Sequence, residues 1–249
     1  MNNKSLCIVG CCKDVEQYLP DVLANLETIE SWWRECKIVI FENDSIDNTN
    51  SILREWVKKG RHRTIVTEYN LNSRLPHRVE RLAYIRNRLL EYIPNSFDYF
   101  MMVDLDNVFT KSVSKESFDS CFELDNWDVI TAFSTGNKYY DIWPLRIPGI
   151  IEFDCWIRYY ELWHSGKYNQ QEAIYEAIEK YKDLVPTFTE PVVVHSAFNT
   201  AMLGKVSTIH RCCKYSHING NVSVCEHVPF QNCLRSHGAR IVLNPKFVL

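Results

Sequence analysis

Short apolar runs alternate with longer stretches of helical spacing through the first half of the chain. Leu6 to Gly10 is apolar and short, as a buried strand would be. From Asp14 to Ile29 the apolar residues Leu19, Val22, Leu23 and Leu26 fall on one side of a helix. Lys37 to Phe41 predicts a second strand, ending in Glu42-Asn43-Asp44-Ser45, and Asp47-Asn48-Thr49-Asn50 can open the helix that carries Ile52, Leu53, Trp56 and Val57. A third strand over Thr64 to Glu68 precedes a helix over Arg78 to Tyr92, with Leu82, Ile85, Leu89 and Ile93 at spacings of three and four. Tyr99 to Asp104 is the fourth strand.

This alternation predicts an α/β fold with a mostly parallel central sheet flanked by helices. The second half is less regular. Trp127 to Phe133 and Pro191 to Ser196 are expected strands, Ile150 to His164 and Gln170 to Tyr181 expected helices, and the remainder an irregular C-terminal part. Because no repeat, linker or low-complexity tract interrupts the chain, residues 1–249 read as a single domain.

Composition narrows the function classes. With 46% hydrophobic and 24% charged residues and a formal net charge of -3, the chain has an ordinary globular composition. It lacks the basic balance of a dedicated nucleic-acid binder. No apolar run approaches the roughly 18 residues of a membrane span, and the apolar run near the N-terminus is too short for a signal peptide. A cytoplasmic location is therefore expected, with most of the ten cysteines reduced.

In open α/β sheets ligands collect at the C-terminal ends of the strands, and here those ends carry chemistry. The fourth strand finishes Phe100-Met101-Met102-Val103-Asp104-Leu105-Asp106-Asn107. Carboxylates one residue apart share a side of an extended strand, and burying them at a sheet end needs a compensating cation. Asp104 and Asp106 thus suit a divalent metal that also holds a diphosphate. Gly10, Cys11 and Lys13 follow the first strand, and Glu42 and Asp44 follow the second, in reach of base or ribose groups. Asp44, Ser45 and Asp47 are equally the residue types that cap turns and helices, so both roles stay open.

Neither G-x-G-x-x-G after the first strand nor G-x-x-x-x-G-K-[ST] occurs, which disfavours a dinucleotide dehydrogenase or a P-loop enzyme. Phosphate must then be met by metal and basic side chains. Among the arginines of the preceding helix, Arg81 is the candidate for the diphosphate, and the spacing turns Arg86 elsewhere. His227 is the candidate third metal ligand, and an imidazole beside carboxylates favours Mn²⁺ over Mg²⁺. Zinc in the Cys- and His-rich tail is disfavoured, because no C-x₂₋₄-C pair has a matching H-x₃₋₅-H and Cys212-Cys213 are adjacent.

Taken in order, Cys12-Lys13-Asp14, the stretch from Phe41 to Thr49, Glu80 to Asn87, Val103 to Asp106, Tyr139 to Arg146, Ser196 to Asn199 and Cys225-Glu226-His227 resemble the GT-A fold nucleotide-sugar glycosyltransferases. The likeness is to the group of cryptococcal-type mannosyltransferases and related giant-virus enzymes. It implies a UDP- or GDP-linked sugar donor, Mn²⁺ or Mg²⁺, and a glycan or other hydroxyl acceptor; a viral chain would act in host cytoplasm or the virion. By this resemblance Asp106 binds the metal directly, Asp104 contacts metal or ribose, and His227 completes the shell. Glu42 and Asp44 lie by the nucleoside, and Arg81 faces the phosphates. Lys13-Asp14 departs from the family's Arg-Asn, and Pro144 replaces a small residue.

An inverting transferase also needs a carboxylate to deprotonate the acceptor. Asp141, between Tyr140 and Trp143, is the first candidate, Glu226 the second and Asp154 the third. A metal-dependent nucleotidyltransferase or nucleotide-sugar hydrolase, and a non-catalytic glycan-binding scaffold, are the alternative readings.

Overall fold

The computed structural model describes residues 3–133, 136–210, 212–220 and 222–249. In chain order β1 (Ser5–Cys12), α1 (Leu19–Ser31), β2 (Glu35–Asn43), α2 (Thr49–Val57), β3 (Arg63–Glu68), α3 (Leu71–Arg74), α4 (Arg78–Leu90) and β4 (Tyr99–Asp104) form the alternating half. Then come α5 (Lys115–Asp119), β5 (Val129–Phe133), α6 (Cys155–His164), and α7 (Gln170–Ile174), which runs through a π-type turn into α8 (Lys180–Leu184). The chain finishes with β6 (Val192–Val193), β7 (Ala201–Lys205), the small hairpin β8 (Ile218–Asn219) and β9 (Val222–Ser223), α9 (His227–Ser236) and β10 (Ile241–Val248).

Eight strands make one sheet in the order β3-β2-β1-β4-β7-β5-β10-β6. β1 pairs in parallel with both β2 and β4, β2 with β3, and β5 with β10. β7 runs antiparallel between β4 and β5, and β6 antiparallel on the edge. The expected mostly parallel sheet is therefore present. Two elements that periodicity does not reveal, β7 and β10, sit inside it. The C-terminal part is not irregular: it supplies both of these strands and α9.

The central strands β1, β4 and β5 and the middle of β2 are almost wholly apolar because both faces are covered. Along β1, Leu6 and Ile8 pack with α1 and α2 residues such as Leu19, Leu26 and Leu53, whereas Cys7 and Val9 pack on the other side with Ile85 and Leu89 of α4. β4 alternates in the same way: Met101 and Val103 face the first layer, Phe100 and Met102 the second. Helix starts follow local chemistry. Asp154 caps α6 by accepting from the Trp156 and Ile157 N–H groups, and Asn169 with Glu172 closes a capping box on α7.

Gly10 has a packing role. A Cβ built there would lie 2.6 Å from the Val103 carbonyl oxygen and 2.8 Å from the Leu105 side chain. The absence of a side chain lets β1 and β4 close on each other just before Asp104. Gly10→Ala is expected to cost about 1–3 kcal/mol, the typical penalty for overpacking a core, because a backbone carbonyl cannot swing aside as a side chain can. A urea denaturation midpoint equal to that of the parent protein would contradict this.

Candidate donor and metal site

The strand order turns around between β1 and β4: from β1 the chain builds outward through β2 and β3, then returns to β4 on the other side. Such a switch point leaves a crevice beyond the C-terminal strand ends. A cavity of about 340 Å³ lies there, lined by Cys11, Lys13, Asn43, Arg78, Arg81, Arg86, Asp104 and Asp106 among others. Five of the expected site residues, Cys11, Lys13, Arg81, Asp104 and Asp106, thus meet in one place. Burial pushes the Cys11 thiol up to about 12, so it is a neutral wall of the cavity.

The acidic pair is held by backbone as well as side-chain contacts. Asp104 donates its N–H to the Thr200 carbonyl at 2.9 Å. Asp106 accepts from the Val108 N–H at 3.1 Å, which caps the short helical turn Asn107–Phe109. Burial, and then the neighbouring Asp104 charge, push the Asp106 carboxyl up. A pair placed this way is short of positive charge.

Arg86 departs from the expectation drawn from helical spacing. It points into the site and is 3% exposed. Its Nη2 donates to Asp104 Oδ1 at 2.9 Å, its Nε lies 3.0 Å from Glu226 Oε1, and its guanidinium carbon sits 4.7 Å from the centroid of Phe198. Burial alone would lower its proton affinity, but Asp104 and Glu226 more than reverse that and hold it charged. Arg88 instead faces away, toward Glu68 and Glu91. Arg81 lines the cavity while donating to the Leu75 and Pro76 carbonyls at 2.6 and 3.1 Å. Arg78 is exposed at the cavity rim and makes no ion pair among the described residues.

Several expected contacts have other partners. Glu42 is buried, and its carboxylate accepts from the Ser45 N–H and the Asn50 amide. Asp44 sits at φ +52° and accepts from the Asn72 N–H at 2.7 Å, and these contacts pull its carboxyl down against the effect of burial. Both carboxylates shape the turn after β2, and Asn43 is the residue of that turn facing the cavity. Gly10 lies in the strand pairing rather than in the cavity wall. The turns after β1 and β2 are tied together: Asp14 accepts from the Ile46 N–H at 2.7 Å, and Ser45 Oγ accepts from the Asp14 N–H at 3.1 Å.

Asp141 is part-buried, and its N–H donates to Asn199 Oδ1 at 3.2 Å. Burial, then the charges of Asp104 and Glu226, raise its carboxyl to about 7, against the opposing pull of Arg86. Asp141 thus belongs electrostatically to the acidic site. Asp154 does not: it pairs with Arg146 at 3.0 Å, accepts from the Trp143 indole and caps α6, which removes it as a base. Of the aromatics beside Asp141, Tyr139 is core and only Tyr140 is well exposed.

His227 begins α9, buried at 2% exposure, stacked on Phe198 with centroids 3.8 Å apart and edge-on to Tyr215. Burial, and then Arg86, push its proton affinity down, so the ring is neutral. Neither ring nitrogen has a hydrogen-bond partner among the described residues. It stands beside Glu226, at 3.7 Å, and not in the cavity wall itself.

Two residues outside the expected set complete the site. Asn199 and Thr200 have φ of +51° and +84°, and for a β-branched residue such as Thr200 this is strained. Gln231 holds the preceding segment by accepting from the Ala197 N–H and donating to its carbonyl, at 3.0 and 2.6 Å. Asn199 closes the Ser196–Asn199 stretch that carries part of the resemblance, and Asn is a residue type tolerant of positive φ; nothing in the sequence marks Thr200.

No protein-family profile matches the chain, and no curated protein matches it by sequence. Solved structures do match its fold. Mannosyltransferase PcManGT from Pyrobaculum calidifontis, solved with GDP-Man and Mn²⁺, superposes with a TM-score of 0.55 at 9% identity, covering 99% of this chain and 56% of that one. S. aureus TarS 1–349, solved with UDP-GlcNAc, gives 0.52 at 12% identity over 96% of this chain and 55% of that one. The chain therefore spans little more than half the length of either. At these identities the likeness establishes architecture, and that architecture is the GT-A fold of nucleotide-sugar glycosyltransferases.

Proposed function

We propose that the chain is a metal-dependent glycosyltransferase that takes a sugar from a nucleoside diphosphate to a hydroxyl acceptor. The carrying observation is the cavity at the β1–β4 switch point, where Asp104 and Asp106 share one wall with Lys13, Arg78 and Arg81, a lining able to take a cation and a polyanion together. The finer resemblance, to the cryptococcal-type and giant-virus group, rests on the ordered motifs alone.

The donor set fits a divalent cation. Asp104 and Asp106 offer oxygens, which suit Mg²⁺ and Mn²⁺ alike. The neutral His227 has unpartnered nitrogens but stands behind the cavity wall, so it would join the shell only by moving toward the carboxylates. When bound, the ion would neutralise charge developing on the departing diphosphate. Lys13, Arg78 and Arg81 would contact phosphate oxygens, with the guanidinium groups able to do so bidentately. Arg86 is a positioning residue: it fixes Asp104 and Glu226. Asp141 is the candidate to take the acceptor proton, since its raised proton affinity places its base form near neutral pH. Glu226 is the weaker candidate because Arg86 covers it.

Calorimetry with UDP and with GDP, each with and without Mn²⁺, should show that Asp106→Asn weakens Mn²⁺-dependent binding at least about tenfold. Unchanged binding in a folded variant would sink the metal assignment.

Asp141→Asn should lower transfer by about 10²–10⁴-fold while leaving donor binding intact. In the parent protein, transfer should rise with pH as Asp141 loses its proton. A raised carboxyl in the folded state also means that the metal-free protein loses stability as pH rises from the ordinary aspartate range toward about 7. The variant should therefore melt higher than the parent at pH above 7 and equally at acid pH. A divalent cation on Asp104 removes part of the repulsion, so Mn²⁺ should move the kinetic limb to lower pH. Parent-like transfer by the variant would remove Asp141 as base.

Arg86→Met leaves the buried Glu226 and the part-buried Asp104 without their cation and should cost about 3–5 kcal/mol in a urea melt, most of it from Glu226. Arg78→Ala, at the exposed rim, should leave the melt unchanged and weaken donor binding. A reversal of these two effects would refute the division between positioning and phosphate contact.

A further inference from the structure

Outside the lining of the β1–β4 cavity, the fold gathers Cys212, Cys213, Cys233 and His237 so that one ligand atom from each lies within 4.8 Å of the others. Sequence spacing argues against such a group, but spacing assumes a local loop. Here one half comes from the turn that the Cys213 N–H closes on the His210 carbonyl, and the other from the last turn of α9. We propose that the reduced protein binds Zn²⁺ at these four residues.

The four ligand atoms are close enough to share one ion, and one sulfur–nitrogen separation already matches a tetrahedral edge. Bond lengths of about 2.3 Å to sulfur and about 2.05 Å to nitrogen give a sulfur–nitrogen edge of about 3.6 Å. The structure has Cys212 Sγ at 3.5 Å from His237 Nε2, whereas Cys213 and Cys233 Sγ lie 3.8 and 3.9 Å from Nδ1, so the imidazole must turn for all three sulfurs to meet one nitrogen through an ion. His237 Nδ1 is 2.9 Å from the Cys233 carbonyl oxygen. An Nδ1–H donated there leaves the Nε2 lone pair for a metal, the orienting contact usual for ligand histidines. Cys212 and His237 are exposed, so the ion has a way in.

Cys213 and Cys233 are joined as a disulfide in this structure. The bond uses two of the four groups; Cys212 and His237 stay beside it, with His237 stacked on His210 and against the Cys233 carbonyl oxygen. Opening it takes two electrons: a phosphine attacks one sulfur, the other leaves as thiolate, and water converts the phosphonium to phosphine oxide, giving two thiols. Zn²⁺ then displaces three thiol protons to solvent. Four protein ligands close the shell, so the ion is structural. It clamps α9 to the segment bearing Tyr215, which stacks on Phe230 of the same helix and meets His227 edge-on.

The test is a cobalt titration of the full chain, freed of metal by chelation and reduced with a phosphine under inert gas. Reduced protein should bind one Co²⁺ with the visible bands of a tetrahedral ion and an ultraviolet thiolate charge-transfer band, both erased by Zn²⁺. Cobalt on Asp104 and Asp106 gives no thiolate band, so the two sites are separable. Cys212→Ser and His237→Asn, both at exposed positions, should each weaken binding about tenfold or more, and the oxidised protein should show no thiolate band. Absence of that band in the reduced protein, or full retention of it in both variants, would overturn the proposal.

Discussion

The site depends on one buried guanidinium. Arg86 reaches from α4 to the end of β4 through Asp104 and to the start of α9 through Glu226. A compact ammonium could not span both carboxylates while lying over the Phe198 ring; the flat, forked guanidinium can. Two carboxylates placed together in a buried setting repel each other and resist desolvation unless a cation lies between them. Arg86 is that cation, so the acidic strand tip, the helix before it and the helix near the C-terminus are fixed relative to one another by a single residue.

One cation does not balance what surrounds it. Burial first, and then the neighbouring carboxylates, raise the proton affinity of Asp106 beside Asp104 and of Asp141 beside Asp104 and Glu226, with Arg86 only partly opposing it. The fold maintains this imbalance at some cost. Asn199 and Thr200 are held at positive φ so that one offers its side chain to Asp141 and the other its carbonyl to Asp104, and the Gln231 amide fixes the segment from behind. A site assembled against its own charge before any ligand arrives is ready for a cation and a polyanion together, since each lowers the cost of binding the other.

The alternating half of the chain was legible because parallel strands buried on both faces read as unbroken apolar runs between amphipathic helices. β7 was missed because Ala201–Lys205 is short and contains Gly204, which looks like a break. In the structure that glycine admits the Phe100 ring from β4, which would lie 2.4 Å from an added Cβ. Asp104 and Asp106 could be read because their chemistry is local. Arg86 could not, since its second partner is Glu226, far along the chain, and helical spacing alone ranks arginines by neighbours on one helix. Glu42 and Asp44 show the converse limit: carboxylates at strand ends were identified, but which oxygens the turns had already engaged is a property of the folded backbone.

The choice between Asp141 and Glu226 as proton acceptor follows from the same geometry. Glu226 is 3% exposed with Arg86 against one oxygen, and the Cys225 thiol lies 3.7 Å from the other. An acceptor hydroxyl could reach it only by displacing the guanidinium that holds Asp104, which would dismantle the acidic pair at the moment it is needed. Asp141 has no such obligation. Its backbone N–H anchors it to Asn199 while the adjacent Tyr140 stands exposed over a second cavity shared with Asn107 and Thr200. That cavity adjoins the Asp104–Asp106 tip through Asn107, which follows Asp106, and Thr200, whose carbonyl accepts from the Asp104 N–H. Asp141 itself does not line that cavity; it is held just behind it, between Tyr140 of the cavity wall and its contact to Asn199.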